Sequence, residues 1–158
     1  MKKIDSLNQV AEFHTTFDSP ILTNPEIPSD DRAALRVKLL QEELDELKEA
    51  IEKKNLVEVA DALCDLQYVL SGAVLEFGLG DVFVSLFNEV HRSNMSKACL
   101  SEEEAEKTIK HYKEKGEDAY AKKSGEKFNV YRISDKKILK SIDYSPADLK
   151  SILSSSQK

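Results

Sequence analysis

The strongest constraint on this chain is the stretch Val57 to Leu75. It reads V-E-V-A-D-A-L-C-D-L-Q-Y-V-L-S-G-A-V-L and is charged only at Glu58, Asp61 and Asp65. As a helix it turns roughly 100° per residue, so the three acids fall within an arc of about 60°. The rest of its surface is apolar enough to be buried on most sides. Carboxylates half-buried on such a helix, with no cation beside them, repel one another and lose hydration, at a cost on the order of several kcal/mol each. Their shared face must therefore point at something that compensates them.

The remainder of the chain reads as further helices. It has 158 residues, 33% of them charged, with 5 Gly, 4 Pro and no Trp, which suits one helix-rich domain and argues against an all-β sandwich. A first amphipathic helix is expected from Ile4 to Phe17, followed by a segment over 18–29 that holds three of the prolines and crosses the surface extended. Ser29 or Asp30 caps a second helix to about Lys53, with a seam of Leu40, Leu44, Leu47 and Ile51 facing its neighbour. Asn55 breaks the chain, and the third helix runs from about Leu56 to Phe77, closed by Gly78 and Gly80. So short a connection makes the second and third helices antiparallel neighbours. A fourth helix spans about Asp81 to Asn94, and a fifth starts at a Ser101–Glu104 capping box and stops at Gly116. Beyond it, 127–133 and 138–140 read as a hairpin turning over 134–137, Pro146 opens a last helical turn through Leu153, and Ser154 to Lys158 frays. The expected fold is all-α: one domain, 1–158, with a four-helix-bundle-like core over about 1–116 and a hairpin and helical extension over about 117–158.

The second helix supplies a matching set of acids. Gln41-Glu42-Glu43-Leu44-Asp45-Glu46 sets Glu43 and Glu46 about one turn apart, and Glu42 and Glu43 beside the leucine seam. By itself this stretch also reads as a solvated face, with Lys48, Lys53 and Lys54 nearby. Taken with the third helix, it brings two acidic faces together, and a divalent cation would compensate both. Oxygen-only ligation favours Mg²⁺ first and Mn²⁺ second. A di-iron site is set aside, because none of His14, His91 and His111 follows a Glu at the Glu-x-x-His spacing.

Charge and cysteine usage narrow the partners. A net charge of −6 argues against nucleic acid, although metal ions between carboxylates and phosphates would still admit a phosphate ligand. Cys64 and Cys99 make no metal-ligand pair, and Cys64 is expected to pack as a small hydrophobe in a reducing compartment. Lys2 and Lys3 precede no apolar stretch, and acids interrupt every long apolar run, so neither a signal peptide nor a membrane span is expected and the protein reads as cytoplasmic.

Glu42-Glu43-x-x-Glu46 followed by Glu58-x-x-Asp61 resembles the EExxE…ExxD pattern of the MazG-like all-α nucleoside triphosphate pyrophosphohydrolases, a group that includes phosphoribosyl-ATP pyrophosphohydrolase and the dimeric deoxyuridine triphosphate hydrolases. The resemblance covers roughly residues 1 to 100. It implies hydrolysis of a nucleoside triphosphate, non-canonical or deoxy, to monophosphate and pyrophosphate in nucleotide-pool housecleaning. It implies Mg²⁺ held by Glu43, Glu46, Glu58 and Asp61, with Glu42 or Glu46 orienting or deprotonating the attacking water. It also implies a homodimer or higher homo-oligomer, for which a third helix this apolar supplies a physical motive.

Other residues stand as nucleotide contacts. In Asn88-Glu-Val-His-Arg-Ser-Asn-Met-Ser-Lys97, the residues Arg92, Asn94 and Lys97 could meet phosphate oxygens, or could simply decorate a helix C-terminus with cations. The stretch resembles the HRSNMSK-like segment of one subset of the family, where the Asn and Lys positions serve the triphosphate. Asp65 belongs to the acidic face. His14 and Phe17 could bracket a base or pack in the core, and Tyr68 could line the same pocket or pack in the core. Lys140, in an extension resembling that of the subset, could reach the site. Two rivals stand beside this reading: phosphoribosyl-ATP pyrophosphohydrolase itself, and a non-enzymatic helical interaction module.

Overall fold

A computed structural model describes residues 4–155. In chain order its elements are α1 (Ser6–Thr16), α2 (Asp30–Glu52), α3 (Leu56–Glu76), α4 (Phe83–Met95), α5 (Glu102–Glu114), β1 (Ala119–Ser124), β2 (Lys127–Arg132) and α6 (Leu149–Ser155). The chain divides into two compact units, one of residues up to Phe83 together with those from Leu153 onward, the other Val84–Ile152. The mainly helical class is as expected. Neither unit amounts to a four-helix bundle by itself: the first packs α1, α2 and α3, and the second holds nearly all of α4 with α5 and the hairpin. The division falls after the first residue of α4, well before the change of pattern near residue 116 that separates core from extension in the sequence.

In the first unit, Asn55 is the N-cap of α3, its side chain accepting from the backbone N–H of Val57 at 3.1 Å and of Glu58 at 3.5 Å. The turn is tight, so α2 and α3 lie antiparallel, and α1 packs on α3. Val10 of α1, Ala50 of α2, and Ala62, Val74 and Leu75 of α3 are buried. The proline-bearing segment satisfies the end of α3, with Leu22 N donating to the Leu75 carbonyl at 3.1 Å and Glu26 N to that of Phe77 at 3.2 Å. Gly78 permits this approach. Its φ is +64°, and a Cβ there would run into the backbone carbonyl of Asn24.

Three features of α2 and α3 differ from expectation. The helix α3 is not buried on most sides within one chain, since Leu56, Val57, Leu63 and Leu70 are exposed. The leucine seam of α2 is only half inward, because Leu44 and Ile51 face solvent at 49% and 58% exposure. Cys64 shares the outer face of α3 and is exposed, whereas Cys99 is buried; both thiols are free.

The second unit is built on Cys99, Ala105, Val130 and Leu139, with Ile109, Tyr112, Ala119 and Phe128 packed around them. Ser101 caps α5 through Glu104 N, as the sequence signature indicates. The hairpin differs from expectation. Residues 127–132 do form a strand, but its partner is Ala119–Ser124, in the register Ala119↔Arg132 to Ser124↔Lys127, with a two-residue turn at Gly125 and Glu126. Gly125 takes φ +60°, which that turn requires. Residues 138–139 meet the other edge of β2 through the Leu139 N to Val130 carbonyl bond at 2.8 Å. The final helix starts at Leu149, three residues beyond Pro146, and includes Ser154 and Ser155. The rest of the tail expected to fray, 156–158, and Lys2 and Lys3 lie outside the described residues. No described helix is long and apolar enough to cross a membrane.

Candidate active site

The antiparallel register of α2 and α3 puts their acids opposite one another. Glu46 and Glu49 of α2 and Glu58 and Asp61 of α3 line one open cavity of about 240 Å³, together with Ala50 and Lys53. Lys53 is paired with Glu49 at 2.7 Å. Glu43 stands one turn further along, and its carboxyl is held above the ordinary range by burial first, then by the charges of Asp65, Glu46, Glu42 and Asp61. The expected residues Glu43, Glu46, Glu58, Asp61 and Asp65 therefore belong to one acidic strip. Glu42 turns along the outside of α2 and pairs with Lys38 at 3.4 Å. Among the described residues, no three such side chains stand close enough to enclose a metal ion as placed. The donor set nonetheless suits a hard cation: it is all carboxylate, and Glu46, Glu58 and Asp61 are exposed and free to change rotamer.

The same strip ends differently at its other limit. Glu76 lies eighteen residues, about five turns, past Glu58, and so shares its helical angle. It is fully buried and bonded by Arg32, through Nε at 3.0 Å and through Nη2, and by Arg36 Nη2. Burial pushes the Glu76 carboxyl up, but the hydrogen bonds and charges of Arg32 and Arg36 outweigh it and leave it below the usual range. Gly72 makes room, since a Cβ there would stand 2.7 Å from Arg36 Nη1 and 3.0 Å from His14 Nε2.

The aromatic candidates separate. His14 is 2% exposed, and its Nδ1 lies 2.9 Å from the Pro20 carbonyl, so Nδ1 carries the proton and donates. It is a core histidine and brackets no base. Phe17 and Tyr68 remain on the surface, linked by Phe13, whose ring centre is 4.5 Å from Phe17 and 5.6 Å from Tyr68. Tyr68 also lines an apolar cavity of about 460 Å³ with Leu63, Cys64 and Gln67.

Arg92, Asn94, Lys97 and Lys140 belong to the second unit. Arg92 is not free to meet phosphate, because it pairs with Glu89 at 2.7 Å and donates to Ser145 Oγ and the Pro146 carbonyl, each at 3.0 Å. Lys97 Nζ donates to Asn94 Oδ1 at 2.7 Å, and Lys140 Nζ stands 4.2 Å from the Tyr144 ring centre. Sequence reasoning passed over Tyr144, because nothing in its spacing connects it to Ser93, whose hydroxyl it meets at 2.9 Å. It also passed over Glu76, which the helical period alone could have placed on the acidic face.

Carboxylates from two consecutive antiparallel helices that line one opening suit a hard cation and, through it, a phosphate-bearing ligand. A family model described as phosphoribosyl-ATP pyrophosphohydrolase (PRA-PH) matches residues 10–94, more than half of the chain, and the chain belongs to that family. The match takes in α2, α3 and nearly all of α4, hence the whole acidic strip. It makes the protein a pyrophosphohydrolase-type hydrolase acting on phosphoanhydride bonds, in preference to a non-enzymatic interaction module. A relative described as uncharacterized protein L479 of Acanthamoeba polyphaga mimivirus is 26% identical over an alignment covering 71% of this chain and 78% of that protein.

Proposed function

We propose that the protein hydrolyses a nucleoside triphosphate, non-canonical or deoxy, to the monophosphate and pyrophosphate, in the cytoplasm and in the service of nucleotide-pool housecleaning. The observation that carries the reading is the convergence of Glu46, Glu58 and Asp61 on one opening, with Glu43 crowded against Asp65. Glu43, Glu46, Glu58 and Asp61 would hold Mg²⁺, with Mn²⁺ as a substitute. The metal would neutralise phosphate oxygens and acidify a bound water. Of the two glutamates suggested for orienting that water, Glu46 lines the opening whereas Glu42 is tied to Lys38, which favours Glu46. Water adds to one phosphorus, the phosphoanhydride bond breaks, and pyrophosphate leaves. Asn94 and Lys97 are the phosphate contacts that the family resemblance suggests.

We also propose a homodimer. Leu44 and Ile51 of α2 and Leu56, Val57, Leu63 and Leu70 of α3 are exposed together on the long helices, and a second copy is the occupant that the resemblance implies. The family description favours phosphoribosyl-ATP as a second substrate reading. Pyrophosphate release from a panel of canonical and deoxynucleoside triphosphates and phosphoribosyl-ATP, with Mg²⁺, Mn²⁺ or chelator, tests both. Metal-dependent release that vanishes in Glu43→Ala and Asp61→Ala is the expected result. Release that survives either change, or no release from any substrate, overturns the assignment.

A further inference from the structure

The opening lined by the acids of α2 and α3 also holds a cation of the chain's own. Among the described residues that line it, Lys53 is the one cationic residue, beside Glu46, Glu49, Glu58 and Asp61. The backbone fixes its root there. Lys53 is the C-cap of α2, and its N–H donates to the Glu49 carbonyl at 3.0 Å. Lys54 then turns left-handed at φ +54°, and Asn55 caps α3, whose first turn carries Glu58. The Lys53 side chain therefore starts at the closed end of the α2–α3 pair, where acids arrive from both helices.

Its ammonium is tethered but able to move. Lys53 Nζ donates to Glu49 Oε1 at 2.7 Å, and the side chain is 57% exposed. The Glu49 hydrogen bond first, then the charge of Glu49 and that of Glu58, hold the ammonium above the ordinary lysine range. One ammonium thus lies in the field of carboxylates on both helices. An exposed ion pair of this kind contributes little to stability, so replacing Lys53 spares the fold. Its effect is local: it offsets one negative charge of the four carboxylates that line the opening with it. A divalent cation drawn to the same carboxylates meets a like charge already in place. The long, flexible lysine stem lets that charge swing out to water with no change of backbone.

We propose that Lys53 is a built-in counter-cation of the acidic opening: it compensates the carboxylates before a metal enters, and an incoming divalent cation must turn it out. The inference rests on the reading of Glu46, Glu58 and Asp61 as metal ligands. Lys53 then lowers the affinity of the free protein for metal. It favours entry of the divalent cation together with a phosphate chain, whose oxygens can accept the displaced ammonium.

The test is titration of the full chain with Mn²⁺ in the absence of nucleotide, read by calorimetry and by the paramagnetic resonance signal of the free ion. Lys53→Gln should bind Mn²⁺ roughly threefold to tenfold more tightly at low salt, the size of one charge repelling a divalent ion across a few ångströms of water, and the difference should shrink as salt is added. Lys53→Arg, which keeps the charge, should bind as the parent does. Lys48→Gln removes the same charge from an exposed position of α2 outside the opening, and should change the affinity less than about twofold. Equal or weaker binding by Lys53→Gln overturns the counter-cation, and so does an equal gain in Lys48→Gln, which would make it an effect of net charge. Binding of Mn²⁺ by neither the parent nor Lys53→Gln refutes the metal reading and this inference with it. A gain confined to Lys53→Gln, in a protein that hydrolyses no nucleotide, keeps the counter-cation and refutes the hydrolase reading instead.

Discussion

Replacing Glu76 by Gln preserves its shape and removes its charge, which tests whether the upper end of the α2–α3 strip is a structural clamp. Glu76 is 0% exposed and Arg36 8%, and Arg36 Nε already lacks a partner. The variant would leave the Arg36 guanidinium buried and uncompensated. Breaking a buried pair from one side costs about 3–5 kcal/mol. Arg32, whose side chain is 33% exposed, can turn to water, so a loss of about 3 kcal/mol is expected. Against a total stability of about 5–15 kcal/mol, that is a large share.

Urea denaturation at one fixed protein concentration measures it, since association of copies would shift the midpoint. With a slope of about 1–3 kcal/mol/M, the midpoint should fall by roughly 1–3 M with the slope unchanged. The pH dependence follows from the lowered carboxyl of Glu76. Its stabilisation is present above the unfolded value of about 4.3 and is lost as pH falls through the lower folded value, so the Gln variant should show a flatter acid limb. A change within about 0.5 kcal/mol, typical of an indifferent surface site, would refute the clamp.

Gly72→Ala should destabilise by about 1–3 kcal/mol in the same assay, because the new Cβ meets an Arg36 pinned by Glu76 and a His14 pinned by Pro20, outweighing the gain in helix propensity. Leu63→Glu, on the exposed face of α3, should convert a dimer to monomer in sedimentation while the circular dichroism stays helical.

Much of the first unit was legible because its signals are local. Asn55 caps α3 just where the sequence breaks, and the acids at 43, 46, 58, 61 and 65 share a strip because a three-residue connection fixes an antiparallel register. What failed to show depends on distant partners. His14 sits on an amphipathic helix where either stacking or burial fits the pattern, and only the Pro20 carbonyl, beyond the helix end, decides it. Ala119–Ser124 is a strand although lysine-rich and without a β-branched residue, because β2 pairs with it and α5 covers the hairpin. Arg92 looks like a free phosphate ligand until Ser145 and Pro146, more than fifty residues later in the chain, occupy it.

One helical strip thus meets two fates, and the contrast bears on function. At Glu76 two arginines neutralise the acid, whereas at Glu43 burial and the like charges of Asp65, Glu46, Glu42 and Asp61 raise the carboxyl together. Such a group costs stability when ionised. The cost is absent below the unfolded value of about 4.3, grows as pH rises, and is full above the raised folded value. A chain that maintained these acids only for solubility could trade one for an amide without consequence. If they are kept for a metal, Glu43→Gln should stabilise the chelated protein near neutral pH, by about 0.5 kcal/mol from relieved repulsion, and the gain should vanish in acid. The parent should then gain melting temperature on addition of Mg²⁺ and the same variant should not, inverting the order of stability once metal is added. A Glu43→Gln protein that is no more stable in chelator and responds to Mg²⁺ as the parent does would mean that the strip is an ordinary solvated face.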